Sequence, residues 1–243
     1  PNRGHQQEAG RGIRPRDDAG GALRRLTVMG TLAALAIAAT LSSGAADFFP
    51  LAPGTRWVYQ ERTDRQVNTY TDEVGAAVEI DGKPAFPVVS TQDGRRVDTI
   101  HYRVERDTVL IVAYDPRRPL SNPRPVLKVG RGRTTWRWEG GTPLLGADVP
   151  LKMSGSSQIV GRRDVLGVER EVLEVKLEGE LQVLPDQTAR ISQTALYARG
   201  VGLFEMRSRQ TSGSRRSESV LRLVSFRPAP TSDESAMLTG AGH

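Results

Sequence analysis

The 243-residue sequence predicts an all-β fold: a curved antiparallel meander sheet, shaped as an open half-barrel or a sandwich, with about ten strands. Three observations predict it. Past residue 46 no stretch sustains apolar residues at helical spacing over three turns. Short alternating or β-branched runs recur instead. Two-residue turn signals separate them, and strands joined by such short turns must be antiparallel neighbours.

Thr55 to Glu61 is the first expected strand, and its period of two puts Trp57 and Tyr59 on one face. A long strand follows from Gln66 to Ile80, bent at Gly75. Asp81-Gly82 and Asp93-Gly94 are hairpin turns, because Asp and Gly tolerate the positive φ that both turn positions need. They bracket strands at Lys83 to Ser90 and Val97 to Glu105, and a turn at Arg106-Asp107 leads into Thr108 to Tyr114. Residues 66 to 114 therefore read as a meander. Prolines 116, 119, 123 and 125 then predict a surface loop, since proline donates no ladder hydrogen bond. Strands resume at Thr134 to Glu139, and after a Gly/Pro-containing connection at Gly155 to Arg162. Val168 to Leu177, Ala189 to Ala198, Leu203 to Gln210 and Ser219 to Phe226 complete the set. The expected organisation is one β domain over residues 47–227, followed by a polar, disordered tail over 228–243.

Residues 1–46 read as address. Arg24-Arg25 precedes an uncharged Leu/Ala-rich run from Leu26 to Leu41, and Ser42-Ser43-Gly44-Ala45-Ala46 closes it. A positive region, an apolar region and a small-residue cleavage site make up a secretory signal peptide. Cleavage is expected after Ala46, with Ala45 as the alternative; a retained anchor stays open, although the run is shorter than the roughly 20 residues of a spanning helix. The arginine pair fits a twin-arginine export signal only loosely. Residues 1–23 are expected to be a polar extension or an upstream misreading of the start. The expected location is periplasmic or extracellular.

Export changes the meaning of the charge. The chain has 34 Lys+Arg against 28 Asp+Glu, a formal +6. Six arginines and three acids leave with the first 46 residues, and seven of the remaining basic residues fall between 117 and 137: Arg117, Arg118, Arg124, Lys128, Arg131, Arg133 and Arg137. No acid interrupts them, and Trp136 and Trp138 close the stretch. This segment is the candidate anion-binding site, for anionic lipid or polysaccharide, against the plainer reading of a solvated loop. Nucleic acid is disfavoured as a partner by export and by the lack of a recognised motif.

Catalytic chemistry finds little to rest on. Cysteine is absent, which removes thiol catalysis, lipid attachment at a processed N-terminal cysteine, and cysteine-based zinc. The three histidines are His5, His101 and His243, and His101 lies in a strand without a nearby nucleophile motif. The serines lack a hydrolase elbow, and no phosphate loop, dinucleotide fingerprint or calcium loop occurs. Glu169 and Glu171 share a strand face but alternate with Arg170, so solvated edge charges are expected rather than an acid/base pair. No catalytic residue, cofactor or metal is predicted.

The segment Phe48-Phe49-Pro50-Leu51-Ala52-Pro53-Gly54-Thr55-Arg56-Trp57-Val58-Tyr59 resembles the start of a group of exported bacterial β-rich proteins, many uncharacterised. Leu196-Tyr197-Ala198-Arg199-Gly200-Val201-Gly202-Leu203 is similar to their closing strand turn. The resemblance implies a curved sheet like that of periplasmic lipoprotein carriers, and it transfers no catalytic residue. The chain is therefore expected to be a non-enzymatic, monomeric envelope protein that binds an apolar ligand or an envelope partner. Trp57, Tyr59, Trp136 and Trp138 are the candidate ligand contacts, unless core packing uses them. Peripheral attachment through residues 117–137 and a carboxylate-dependent hydrolase are the alternatives.

Overall fold

The computed structural model describes residues 44–144, 147–184 and 187–230; the apolar segment before Gly44 and the tail from residue 231 lie outside them. Among the described residues one short helix, α1 (Ala45–Phe48), precedes thirteen strands. The first seven are β1 (Arg56–Thr63), β2 (Val67–Val74), β3 (Val78–Ile80), β4 (Lys83–Gln92), β5 (Arg95–Glu105), β6 (Thr108–Asp115) and β7 (Arg118–Lys128). The other six are β8 (Thr134–Leu144), β9 (Ala147–Val165), β10 (Val168–Leu184), β11 (Gln187–Ala198), β12 (Gly202–Ser212) and β13 (Arg215–Arg227).

The all-β expectation holds, and the local turn chemistry explains its meander. Asp81 and Gly82 have φ of 52° and 68°, Asp93 and Gly94 51° and 73°, and Arg106 55°, the left-handed values that short hairpins require. Leu166-Gly167, which no turn signal marked, uses the same conformation at 56° and 81°. The count exceeds ten for two reasons. The long strand expected over 66–80 breaks at Gly75, whose N–H bonds Pro87 O at 2.8 Å; β2 and β3 then pair with successive parts of β4. The predicted proline loop is also a strand. In β7, Pro119 and Pro125 lie opposite Ala113 and Leu110 on β6, with three register shifts along the pair. Proline is tolerated there because β7 is an edge strand, so a missing N–H leaves no second ladder unpaired.

All the pairing is antiparallel, in the order β7-β6-β5-β4-β2-β1-β13-β12-β11-β10-β9-β8, with β3 alongside β4. Two consecutive meanders thus join where β1 pairs β13. The sheet curls until its edges, β7 and β8, meet without a ladder. Side chains close the seam: Asn122 Nδ2 donates to Glu139 O at 2.8 Å, and Trp138 Nε1 donates to Asn122 O at 3.2 Å. At one end of the seam Ser157 Oγ donates to Lys128 O, and at the other Arg118 pairs with Asp148. The result is a nearly closed barrel with one side-chain seam.

Apolar side chains fill one end of the concave face. Phe48, Leu127, Trp136, Leu173, Val175 and Tyr197 form one cluster, and Leu51, Trp57, Tyr59, Val74 and Val88 form its neighbour. Phe49 joins the two, with ring centroids 6.5 Å from Trp57, 4.9 Å from Tyr102 and 6.2 Å from Tyr197. The segment just before β1 is therefore a plug at the base of the barrel, a placement that strand periodicity does not reveal.

The two motif segments meet at this plug. Gly200 N–H donates to Asp47 O at 2.6 Å, Trp57 Nε1 to Val201 O at 2.6 Å, and Tyr59 Oη to Leu203 O at 3.1 Å. Arg199 salt-bridges both Asp47 and Glu171 and lies 4.9 Å over the Phe48 ring. Gly202 is needed here on two grounds: its φ is +100°, and a Cβ would approach Trp57 Nε1 to 3.2 Å. Gly202→Ala is expected to cost about 1–2 kcal/mol, read as an earlier urea midpoint with an unchanged slope.

Candidate functional site

Above the plug the concave face leaves a cavity of about 410 Å³. Inward positions of nearly every strand line it: Trp57 and Tyr59 from β1, Val88 from β4, Tyr102 from β5, Leu177 from β10 and Met206 from β12, among others. These are period-two positions whose side chains alternate with outward polar ones. The volume is in the range of small-molecule sites, and the walls are mainly apolar with a few polar groups converging on the space.

Three tyrosines are among the polar groups. The Tyr59 hydroxyl is committed to Leu203 O, whereas those of Tyr102 and Tyr197 bond no other group among the described residues. Burial pushes all three phenols well above their ordinary range, and the proximity of Tyr197 and Asp72 adds to this at Tyr102. They stay neutral and can both donate and accept.

Asp72 borders the same space and accepts from Ser90 Oγ at 2.7 Å. Desolvation pushes its carboxyl up, the Ser90 bond opposes that, and Asp98 adds a smaller upward push. A raised folded-state value means that the native state carries a cost when the carboxylate is ionised. Relative to the unfolded chain, that cost is absent below the ordinary aspartate value near 3.9 and grows as pH rises through the folded value. Asp72→Asn keeps the Oδ1 acceptor, so its melting temperature should exceed the wild type's by roughly 2–4 °C at pH 8. The gap should close at pH 3.5; equal gaps at both pH values would show that ionisation is not the cause.

The candidate ligand contacts divide. Trp57 and Tyr59 border the cavity. Trp136 and Trp138, 7% and 6% exposed, are packed lower in the wall and at the seam. Trp136 lies over Gly155 with its indole nitrogen buried and unpartnered among the described residues.

The seven basic residues do not form one patch. Arg124 borders the cavity and sits 5.6 Å over the Tyr114 ring. Arg118 pairs with Asp148 at one end of β7, whereas Arg131 and Arg133 follow its other end, about 30 Å away along the strand. Arg117 and Arg137 are exposed, and Lys128 is half-buried. The clustering seen in one dimension is spread along an edge.

His101 is buried, with Nδ1 unpartnered among the described residues, and desolvation lowers its pKa. Alternation along β5 turns it away from the face that carries Tyr102. Glu169 and Glu171 are spent on Arg162 and Arg199. No group of three or more metal-ligating side chains occurs among the described residues. Ala46 lies within α1, its carbonyl accepting from Phe49 N–H; a cut after it leaves Asp47 and both phenylalanines attached to the barrel. Missing from the sequence reading were Tyr102, Tyr197, Asp72 and Phe49. Tyr102 and Tyr197 alternate with His101, Arg103, Leu196 and Ala198 in their strands, and that pattern places them on a face without saying that the face encloses space.

No family model matches the sequence, and comparison with curated proteins yields no match. Comparison with solved structures finds likenesses over about three quarters of this chain. An exported protein of YmcC-like fold from Bacteroides fragilis is 14% identical, covering 74% of this chain and 98% of its own, with a TM-score of 0.41. A protein provisionally named a lipoprotein, from Parabacteroides distasonis, is 12% identical over 74% and 98%, at 0.40. The hypothetical lipoprotein YmcC of Escherichia coli is 12% identical over 72% and 89%, at 0.30. At these values the likenesses assign neither ligand nor activity to this chain.

Proposed function

We propose that this chain is an exported, non-enzymatic β protein of the cell envelope that holds an apolar ligand inside its curved sheet. One observation carries the reading: an apolar-walled cavity of about 410 Å³ bordered by Tyr102 and Tyr197, neither hydroxyl of which is hydrogen-bonded among the described residues. A space of this kind strengthens both the burial of a chain and the few hydrogen bonds that orient it. Export is supported by the Arg-Arg, apolar and small-residue sequence of positions 24–46.

The test is a titration of the folded protein with N-phenyl-1-naphthylamine, whose emission rises on entering an apolar site. Saturable binding in the micromolar range is expected, weakened at least tenfold by Met206→Trp, which fills the cavity from β12. Binding that Met206→Trp leaves unchanged, or no saturable binding, would sink the proposal.

A second reading concerns the exposed arginines Arg131, Arg133 and Arg137, which follow or flank the seam and have no acidic partner among the described residues. Attachment to an anionic surface through them predicts co-sedimentation with phosphatidylglycerol vesicles. Neutralising Arg131 and Arg133, or raising the salt from 0.05 to about 0.5 M, should abolish it.

A further inference from the structure

Beyond the residues shared around the apolar cavity, three rows of the concave face change chemistry from strand to strand, and register shows where. Thr63, Ser219, Ser208 and Gln193 stand side by side across β1, β13, β12 and β11. The same row continues as Leu177 on β10 and Gly155 on β9. In the next row Ser217 and Gln210 give way to Ile191, Gly179, Met153 and Trp138. In the one after, Arg215 and Ser212 give way to Ala189, Leu181 and Leu151. In these three rows hydroxyl and amide side chains, with Arg215, form a polar wall on β1, β13 and β12 that ends at Gln193 of β11, beside an apolar wall on β8 to β11.

The two walls adjoin. A cleft lined by Glu61, Thr63, Ser208, Gln210, Ser217 and Ser219 opens beside the apolar cavity, and Gln193 Nε2 bonds Ser208 Oγ at 3.4 Å where they touch. Serine, threonine and glutamine side chains each donate and accept. The charges around this wall cancel in sign: Glu61 and Asp64 against Arg65 and Arg215. Glu218 is held by Arg216 within the cleft, which balances three carboxylates against three guanidiniums, and by Arg209 outside its lining. The wall therefore has many hydrogen bonds to offer and no net charge with which to hold an ion.

We propose that the barrel takes an amphiphile with an uncharged, multiply hydroxylated head, the chemistry of a glycolipid, its chain in the apolar cavity and its head against the polar rows of β12, β13 and β1. This assignment rests on the apolar-ligand reading and goes beyond it by naming the head. A site that satisfies hydroxyls selects against ligands that lack them, because its own polar groups are otherwise left unpaired.

Three twelve-carbon amphiphiles, n-dodecyl β-maltoside, dodecanoate and dodecyltrimethylammonium, titrated below their micellar concentrations against the full folded protein, test it. The expected result is that the maltoside binds at least tenfold more tightly than either ion. Ser208→Val with Ser219→Val, residues that suit a strand, should weaken the maltoside about tenfold and leave N-phenyl-1-naphthylamine binding unchanged. If that pair fails to fold, Gln210→Leu at an exposed position reads the same effect. Equal binding of the three heads, a preference for an ion, or maltoside affinity indifferent to these substitutions overturns the head assignment while naphthylamine binding keeps the apolar-ligand reading. Failure of the naphthylamine as well removes both.

Discussion

Phe48→Ala lowers the folding free energy by about 3–5 kcal/mol, the usual cost of removing a buried phenylalanine. Phe48 has no exposed surface and packs with Leu127, Trp136, Leu173 and Tyr197 beneath the Arg199 guanidinium. Four of the elements that curve around the base meet on this one ring, so few neighbours are free to close the space it leaves. For a domain of this size the loss corresponds to a fall in melting temperature on the order of 10 °C. The plug should loosen as well, because Phe49 follows Phe48 and forms the cavity floor against Tyr102 and Tyr197. Naphthylamine affinity is expected to fall with stability in this variant. A melting temperature within 2 °C of wild type would show that the segment before β1 does not hold the barrel base.

Gly155→Ala is the other large effect. An added Cβ would lie 2.2 to 2.6 Å from three atoms of the Trp136 indole, closer than any real contact, and the ring is 7% exposed with little room to retreat. Either the ring leaves its site or β8 and β9 separate, and the seam strand β8 is paired on its other side only by side chains. The expected destabilisation is about 3 kcal/mol, at the upper end for overpacking. A double-mutant cycle identifies the cause: combined with Trp136→Leu, Gly155→Ala should cost under about 1 kcal/mol, since the two changes share one contact. Additive costs would place the strain elsewhere.

Much of the sheet is legible before any coordinates, because hairpin turns and alternation are local. Asp81-Gly82 and Asp93-Gly94 announce turns whose backbone needs the φ those residues accept, and Trp57-x-Tyr59 shows its face by period alone. β7 is not legible. Three prolines argue against a strand unless the strand is known to be an edge, and edge position is a property of the whole sheet. The seven basic residues mislead for a related reason: proximity along an extended strand means separation in space, so Arg124 borders the cavity while Arg118, six residues away, pairs with Asp148. Tyr102 and Tyr197 were invisible as a pair, since β5 and β11 come together only when the sheet curls.

The sequence alone determined the class of the fold, the antiparallel hairpins and the two glycine-containing segments at either end of the domain, because each depends on backbone preferences within a few residues. Tertiary structure decided what those pieces enclose. Pairing of β1 with β13 brings the Trp57 and Gly202 segments into contact, closure at β7 and β8 turns inward faces into a cavity, and register stacks serines on one wall and aliphatic residues on the other. Those outcomes depend on how residues from opposite ends of the chain align, and a shift of one residue in any pairing would have turned the same side chains to solvent.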